Sequence, residues 1–269
     1  MPRSRLDIAL VERGLAPTRS RAQAVVLAGR VRVDGQVSDK PGMAVDDGRR
    51  VEIDAAPEFV SRGGRKLSNA LDAFGVDVTG ARALDLGAST GGFSDCLLAR
   101  GAREVVALDV GYGQLDWRLR NDARVHVLER TNARNLVPEM LPYAPELVVS
   151  DLAFISTALV WGAIGPCLAA GWRALIMVKP QFEAGREHVG SSGVVRDPVV
   201  RAGAVRRVAD AITASGGVVL NAADSGVPGP KGNREVFLLA CASSAASPVP
   251  DLDERIAAAV AVGRPRETQ

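Results

Sequence analysis

Four charged side chains lie where a buried element of the predicted fold begins or ends. Asp151 follows the apolar run LVVS, and Lys179 follows the apolar run ALIMV. Lys66 begins a predicted helix, and Glu235 begins the last predicted strand. A charge at the end of a buried strand costs free energy unless a partner or a ligand needs it there. We therefore expect the four residues to form a functional site.

Lysine is an unusual choice at two of these positions, since only four of the 33 basic residues in the chain are lysines. A lysine carries a compact amine that can change protonation, whereas arginine stays charged. The chemistry expected of Lys66 and Lys179 is therefore proton transfer or contact with a small group. Taken singly, each lysine also fits a solvated side chain, and each acid also fits a helix cap or a turn.

A glycine-rich segment, ALDLGASTGGF at 83–93, joins an apolar run to a predicted helix. Small residues let a ligand approach the backbone, and a helix N-terminus offers free N–H groups. The segment has neither the G-x-G-x-x-G pattern nor the lysine of a P-loop. Asp109 ends the next predicted strand, 22 residues after Gly87, where an acid can accept hydrogen bonds from both ribose hydroxyls. The pattern favours a nucleoside cofactor, and the alternative is an ordinary strand–turn–helix junction.

The elements that must position these residues alternate along the chain from Ala83 onward. We predict strands at 83–86, 105–109, 125–128, 147–151, 174–178, 217–222 and 235–240. Helical segments fill most of the gaps between them, and the clearest begins at Asp197-Pro198. Such alternation predicts an α/β fold with a mostly parallel seven-stranded sheet, and the short turn before the last strand makes that strand antiparallel.

The first 54 residues have a different pattern. Two short helices, at 6–13 and 19–28, precede two strands joined by an Asp34-Gly35 turn, and RRVEID forms a third strand. So few residues make a small module that helps to grip a partner. The predicted domains are 1–54, a linker at 55–61, a larger domain at 62–245, and a tail at 246–269 with one short helix.

Composition narrows the class of protein. The chain has 269 residues, of which 47% are hydrophobic, so it can bury a sizeable core. Its net charge is only +2, but residues 1–32 hold seven arginines and two acids. This excess predicts a polyanion partner, with a solvated basic face as the alternative. The three cysteines are far apart and form no C-x-x-C pair, which argues against a disulfide framework and against a metal site.

One segment raises the possibility of a membrane protein. Leu152–Trp172 is 21 residues without a charge, long enough to span a bilayer. It contains polar residues and a Gly165-Pro166 pair, however, and it lies between two predicted strands, where a buried crossover helix is expected. The charged N-terminal segment does not resemble a signal peptide. We therefore expect a cytoplasmic protein, most simply a monomer, with no stable membrane association.

Longer stretches of the sequence resemble known protein families, and these resemblances support an enzymatic function. The order Lys66, Asp151, Lys179, Glu235 resembles the catalytic tetrad of the FtsJ-like ribose 2′-O-methyltransferases. RLDIALVERGLAPTRSRAQAVVLAGRVRVDG resembles the ribosomal S4-type RNA-binding domain. The segments VSRGGRKL, DLGASTGGF, DVGYGQLDWRLRND, VLERTNAR, DLAFIS, VKPQFEAG and PGPKGNREVFL are similar to the TlyA family of rRNA cytidine 2′-O-methyltransferases, also known as haemolysins.

The resemblance implies a class I, Rossmann-like methyltransferase domain behind a small α+β S4-like RNA-binding domain. It also implies S-adenosylmethionine as cofactor and a cytidine ribose of 16S or 23S rRNA as substrate. Asp85 would lie near the methionine end of the cofactor, and Glu129 and Arg130 near the adenine. The other implied cofactor residues are Gly87, Ala88, Ser89, Thr90, Gly91, Gly92, Phe93, Asp109, Val110 and Asp151.

The N-terminal arginines would contact RNA phosphates, namely Arg3, Arg5, Arg19, Arg21, Arg30 and Arg32. In the tetrad, Lys179 would activate or orient the ribose hydroxyl, and Glu235 would orient a lysine. Lys179 acts as a base if burial and a second cation lower its pKa, or as an electrostatic clamp if Asp151 keeps it charged. Two other functions stay open: an RNA-binding protein with an inactive methyltransferase-like domain, and a membrane-lytic haemolysin.

Overall fold

The computed structural model describes residues 3–54, 57–229 and 232–261. The chain divides into two compact units, Met1–Pro57 and Glu58–Gln269. Parts of the predicted linker (55 and 56) and of the predicted tail (262–269) lie outside the described residues.

The N-terminal unit combines two helices with two small sheets. Its elements are β1 (Arg3–Arg5), α1 (Leu6–Glu12), α2 (Arg19–Leu27), β2 (Val31–Val33), β3 (Gln36–Ser38), β4 (Ala44–Asp46) and β5 (Val51–Ile53). Strand β2 lies between β3 and β5, while β1 pairs with β4 in a separate two-stranded sheet. The two helices begin and end within a residue of the predicted limits. The β1–β4 pair was not predicted, because β1 (RSR) contains no apolar residue and therefore gives no strand pattern.

The apolar residues of this unit form a core of their own. Leu6 and Leu10, one turn apart on α1, are completely buried together with Val26 of α2 and Val31 of β2. Thr18 caps α2 by accepting a hydrogen bond from the backbone N–H of Arg21 at 3.2 Å.

The larger unit is built on one seven-stranded sheet in the order β11-β12-β10-β9-β6-β7-β8. Its strands are β6 (Arg82–Leu86), β7 (Glu104–Leu108), β8 (Val125–Leu128), β9 (Leu147–Ser150), β10 (Arg173–Val178), β11 (Gly217–Asp224) and β12 (Val236–Ala242). The last strand, β12, runs antiparallel to both of its neighbours, and the other described pairs are parallel. The predicted fold class is therefore confirmed.

Helices cover both faces of this sheet. They are α3 (Arg62–Phe74), α4 (Gly92–Ala99), α5 (Trp117–Arg120), α6 (Thr157–Ile164), α7 (Pro180–Glu183), α8 (Pro198–Ala214) and α9 (Leu252–Ala261). Along β6, Leu84 and Leu86 contribute to one core with α6 and α8, and Ala83 contributes to the other core with α3 and α4. Apolar side chains on both faces are what a buried parallel strand requires.

The uncharged segment 152–172 forms a crossover between β9 and β10. Its helix α6 has eight residues, and Trp161 and Ile164 are buried in the core against the sheet. The described residues contain no helix that is both long and apolar enough to cross a membrane.

Strands β7 and β9 end one residue before their predicted limits, and β12 begins one residue after its predicted start, at positions that matter for the site. Asp109 and Asp151 follow β7 and β9 as the first loop residues, and Glu235 precedes β12. Because β6, β7, β9 and β10 are parallel, Asp109, Asp151 and Lys179 all emerge at the same edge of the sheet.

Candidate active site

The sheet changes direction of winding between β6 and β9, and a crevice opens at the carboxyl ends of these strands. A cavity of about 530 Å³ occupies this position. It is lined by Gly87, Ser89, Leu108, Asp109, Val110, Gly111, Gln114, Thr131, Asn132, Ala133, Arg134, Asp151, Leu152, Ala153, Phe154 and Ile155. A second cavity of about 340 Å³ shares Gly87, Ser89 and Asp151 with it. Both cavities therefore meet at the glycine-rich loop.

Gly87 lies close to the backbone of Asp151 across this crevice. Its φ is +81°, and a Cβ there would lie 3.1 Å from the carbonyl oxygen of Asp151. A larger residue would therefore be strained and would crowd the neighbouring strand end. Of the loop residues predicted to hold a cofactor, Gly87, Ala88, Ser89, Thr90, Gly92 and Phe93 line a cavity. Gly91 instead faces Leu119, whose Cδ1 would lie 2.2 Å from a Cβ at this position.

Asp109 fixes the loop and lines the larger cavity. Its carboxylate accepts the backbone N–H of Ser89 at 2.7 Å and that of Gly111 at 2.7 Å. A carboxylate has about four acceptor sites, so two of them stay available. The side chain is half-buried at the tip of β7, the position at which an acid can bind ribose hydroxyls in such folds.

Asp85 differs from the expectation that it lies near a ligand. The side chain is completely buried behind the loop, and it accepts hydrogen bonds from the backbone N–H and the hydroxyl of Ser94, at 2.9 and 2.7 Å. Burial raises the pKa of Asp85 to about 7, with the Ser94 hydrogen bonds opposing and Asp151 adding to the rise. Asp85 therefore joins β6 to α4 and supports the loop from behind.

Glu129 and Arg130 also differ from their predicted place at the cavity. The Glu129 carboxylate pairs with the guanidinium of Arg120, and the Arg130 guanidinium lies 4.2 Å from the centre of the Tyr112 ring. The cavity is lined instead by the next residues, 131–134. Within the LERTN segment, the residues that line the cavity are therefore the last two, Thr131 and Asn132.

The four charged residues of the predicted tetrad come together as two ion pairs in the smaller cavity. Lys179 Nζ lies 2.5 Å from Asp151 Oδ1 and 3.2 Å from the Asp151 carbonyl oxygen. Lys66 Nζ pairs with the Glu235 carboxylate, and both side chains are buried. The four residues come from α3, the β9 tip, the β10 tip and the start of β12, so only the folded chain brings them together.

The electrostatics of this group centre on Asp151. Burial raises the pKa of Asp151, while the charge and the hydrogen bond of Lys179 and the charge of Lys66 lower it. Glu235 acts in the same direction as burial. Two ammonium groups and two carboxylates thus share one small cavity, and each ammonium offsets the cost of burying a carboxylate.

Phe154 is a cavity residue that was not predicted. Its ring is 91% exposed, its φ is +63°, and it lies 5.2 Å from the Phe182 ring between centroids. Within an uncharged run, a phenylalanine gives the same signal as a core residue of a buried helix. The segment 61–63 was missed as well, and it lines the smaller cavity next to Lys66.

Most of the N-terminal arginines form ion pairs within their own unit, so a count of charges does not describe their surroundings. Arg3 pairs with Asp46, Arg5 and Arg19 pair with Asp7, Arg32 pairs with the Asp54 carboxylate, and Arg30 donates to the Asp54 carbonyl oxygen. Arg21 is exposed on α2. Asp7 is completely buried, and the hydrogen bond from Arg5 is the main reason why its pKa lies far below the usual range.

Similarity to known proteins covers both units. Residues 59–241 match the family model of the FtsJ-like methyltransferases, and residues 4–51 match that of the S4 domain. The chain is 50% identical over 238 residues to the 16S/23S rRNA (cytidine-2′-O)-methyltransferase TlyA of Mycobacterium tuberculosis, which covers 88% of this chain and 89% of that protein. It is 39% identical to Hemolysin A of Brachyspira hyodysenteriae, over 86% of this chain and 97% of that protein.

One solved structure is similar along nearly the whole chain. The protein, from Streptococcus thermophilus and provisionally named a hemolysin, superposes with a TM-score of 0.74 at 37% sequence identity. The superposition covers 97% of this chain and 95% of that one.

Proposed function

The chain belongs to the FtsJ-like methyltransferases, in the TlyA group that also carries an S4 domain, and we propose that it methylates the ribose 2′-oxygen of a cytidine in ribosomal RNA. The observation that carries this proposal is the ion pair of Lys179 with Asp151, beside the ion pair of Lys66 with Glu235, in a cavity continuous with the glycine-rich loop.

The residues of the larger cavity fit S-adenosylmethionine. A volume of about 530 Å³ is in the range of small-molecule sites. Asp109 would accept the ribose hydroxyls, and the backbone at Gly87 leaves room for a ligand. Thr131 and Asn132 add polar groups to the lining. When bound, this cofactor supplies an electrophilic methyl group, so the chain's own residues must orient the acceptor hydroxyl and manage its proton.

Lys179 is the residue that we assign to the acceptor hydroxyl. An ammonium has three N–H donors; Lys179 Nζ donates to the Asp151 carbonyl oxygen at 3.2 Å and forms an ion pair with Asp151 Oδ1 at 2.5 Å. One donor is left for a third partner in the cavity. Because Lys179 forms an ion pair with Asp151 in the smaller cavity, we infer that it acts as an ammonium that stabilises negative charge as it develops on the 2′-oxygen.

Lys66 and Glu235 support this arrangement from the other side of the cavity. Glu235 holds the Lys66 amine, and the Lys66 charge lowers the pKa of Asp151 against the effect of burial. Lys66 therefore helps to keep Asp151 ionised, and an ionised Asp151 in turn holds Lys179 in place.

The exposed ring of Phe154 offers a surface for the acceptor base. It lies on the wall of the larger cavity, on the same loop as Asp151. Stacking of a base on an aromatic side chain contributes about 1–3 kcal/mol without choosing among bases. We assign Phe154 the holding of the acceptor nucleotide, with contacts from the N-terminal arginines to RNA phosphates at other points.

Methyl transfer from radiolabelled S-adenosylmethionine to ribosomal subunits tests the proposal. Small and large subunits from cells that lack the gene would be incubated separately with the purified protein, and the 2′-O-methylated positions would be mapped. We expect label on a cytidine of 16S or 23S rRNA. If neither subunit nor free rRNA accepts label, while calorimetry shows that the protein binds S-adenosylhomocysteine, the function is wrong. In that case the inactive, RNA-binding alternative would replace it.

A further inference from the structure

The 151–156 loop, between β9 and α6, carries much of the proposed chemistry. It holds Asp151 and Phe154, and residues 151–155 form one wall of the larger cavity. Phe154 has a φ of +63°. A bulky residue in the left-handed region costs free energy and persists only where its surroundings hold the backbone. Contacts from elsewhere in the fold must therefore keep this loop in shape.

The contacts come from the single turn of helix that follows β10. Lys179 pairs with Asp151 at the beginning of the loop, and the Phe182 ring packs against Phe154 in its middle. Glu183 contacts the end of the loop. Lys179 is the extended residue just before this turn, and Phe182 and Glu183 lie within it, so one short segment makes all three contacts.

Glu183 makes the most specific of these contacts. Its Oε2 accepts the Ser156 hydroxyl at 2.5 Å, and its Oε1 accepts the backbone N–H of Thr157 at 2.7 Å. Thr157 is the first residue of α6, and the Ser156 side chain makes no capping bond of its own. A carboxylate from α7 thus caps α6, where the partial positive charge of the helix terminus favours an anion.

Both the side chain and the backbone of Glu183 are held in place. The residue is only 9% exposed, and its carbonyl oxygen accepts two hydrogen bonds from the Arg207 guanidinium of α8, at 2.5 and 3.2 Å. A buried carboxylate with fixed donors on both oxygens has little freedom to move. The constraint runs from α8 through Glu183 to the loop that carries Asp151.

We propose that Glu183 is a positioning residue for methyl transfer: its carboxylate fixes the 151–156 loop and thereby the Lys179–Asp151 pair and the cavity wall. The inference rests on the proposed function and deepens it. Glu183 is connected to Asp151 through the 151–156 loop and through α7 and Lys179, so it acts on the reaction through other residues.

The test compares Glu183→Ala with a matched loss of a helix cap. Asp197 caps α8 by accepting the Val199 backbone N–H at 2.8 Å, at a place that lines neither cavity. Single-turnover methylation, calorimetry with S-adenosylhomocysteine and thermal unfolding would be measured for both variants. We expect Glu183→Ala to lose about 100-fold in single-turnover rate, as a small misplacement of reacting groups does. Asp197→Ala should lose stability but keep its rate.

Conservative variants separate positioning from simple destabilisation. In Glu183→Gln the amide oxygen still accepts from Thr157 and the amide N–H₂ can donate to the Ser156 oxygen, so most of the rate should return. Ser156→Ala removes one bond and should give an intermediate rate. The inference fails if folded Glu183→Ala reacts at the wild-type rate, or if both cap variants lose rate in proportion to their stability. If Glu183→Ala does not fold, a wild-type rate for Ser156→Ala overturns it.

The same experiment separates this inference from the proposed function. A wild-type protein that methylates no rRNA contradicts the proposed function. Affinity for S-adenosylhomocysteine then remains the measure of loop position, because residues 151–155 line the cavity. Weaker affinity in Glu183→Ala than in Asp197→Ala would uphold the role of Glu183, and equal affinity would end it.

Discussion

Replacement of Lys179 by alanine should abolish methyl transfer while the affinity for S-adenosylmethionine stays close to that of the wild type. The amine points to Asp151 in the smaller cavity, away from the residues that we assign to the cofactor's ribose and adenine. Loss of an electrostatic donor to a developing oxyanion costs about 10²–10³ in rate. Loss of a general base costs about 10²–10⁴.

The same change leaves the Asp151 carboxylate without its nearest cation. Removing one partner of a fully buried pair destabilises a protein by about 3–5 kcal/mol. The side chains of Lys179 and Asp151 are 13% and 24% exposed and Lys66 remains nearby, so we expect a smaller loss of about 1–2 kcal/mol. Burial already raises the pKa of Asp151, and it should rise further in this variant.

Lys179→Arg distinguishes the two roles. Arginine keeps the charge but does not deprotonate in proteins, so it should be as inactive as alanine if Lys179 is a base. Measurable turnover is expected if the ammonium acts as an electrostatic clamp. Single-turnover assays at saturating cofactor separate chemistry from product release. The exposed Lys40 provides the matched control, since Lys40→Ala makes the same chemical change outside both cavities. Wild-type chemistry in Lys179→Ala would refute the tetrad assignment.

Further changes test other parts of the site. Asp109→Ala should weaken S-adenosylmethionine binding by about 1.5–3 kcal/mol, because hydrogen bonds to a charged acceptor are lost; unchanged affinity by calorimetry would remove Asp109 from the site. Asp85 has a folded pKa of about 7, above its unfolded value of 3.8. Below pH 3.8 the carboxyl is protonated in both states, and the raised pKa costs no stability. Between pH 3.8 and 7 the unfolded state alone ionises, and the wild type loses stability progressively. The free energy of unfolding of Asp85→Asn should therefore rise relative to the wild type by up to about 4 kcal/mol over this range. Denaturant unfolding at several pH values measures this, and a pH-independent difference would contradict the raised pKa. Phe154→Ala should raise the KM for rRNA more than Phe154→Tyr does, since only tyrosine keeps a stacking face; equal values would argue against stacking.

The parts of the fold that could be predicted are those with strong local signals. Apolar β-rich runs gave the strands of the large sheet to within a residue or two, and the parallel arrangement then required Asp151 and Lys179 to emerge at one edge. The capping sequence Asp197-Pro198 located the start of α8. Lys66 and Glu235 were added to the site because each begins a predicted element, and the family resemblance then supplied their place in a tetrad.

Side-chain direction is what the sequence could not supply. The Asp85 side chain points into the interior from β6 and accepts hydrogen bonds from Ser94. Asp109, at the tip of the next strand, lines the cavity instead. Both are acids at the end of apolar runs, and the difference depends on which residue α4 presents behind the loop. Glu129 likewise forms an ion pair with a nearby side chain, Arg120, and does not line the cavity. The competing partner in each case lies nine residues away in sequence, at positions for which no periodic pattern specifies a contact.

The N-terminal unit shows how a count of charges differs from the charge that a partner meets. Buried Asp7 accepts hydrogen bonds from Arg5, Arg19 and Gln23, and its lowered pKa keeps it ionised at neutral pH. Arg5, Arg19 and Asp7 together therefore carry a net charge of +1, whereas the two arginines alone would carry +2. Each guanidinium has five N–H donors, however, and both side chains are about half exposed. Asp7 thus lowers the net charge of the unit but fixes the direction of the remaining donors, which reduces the entropy lost when they bind phosphates. For the proposed contact with rRNA, the unit relies on the placement of its arginines as well as on their number.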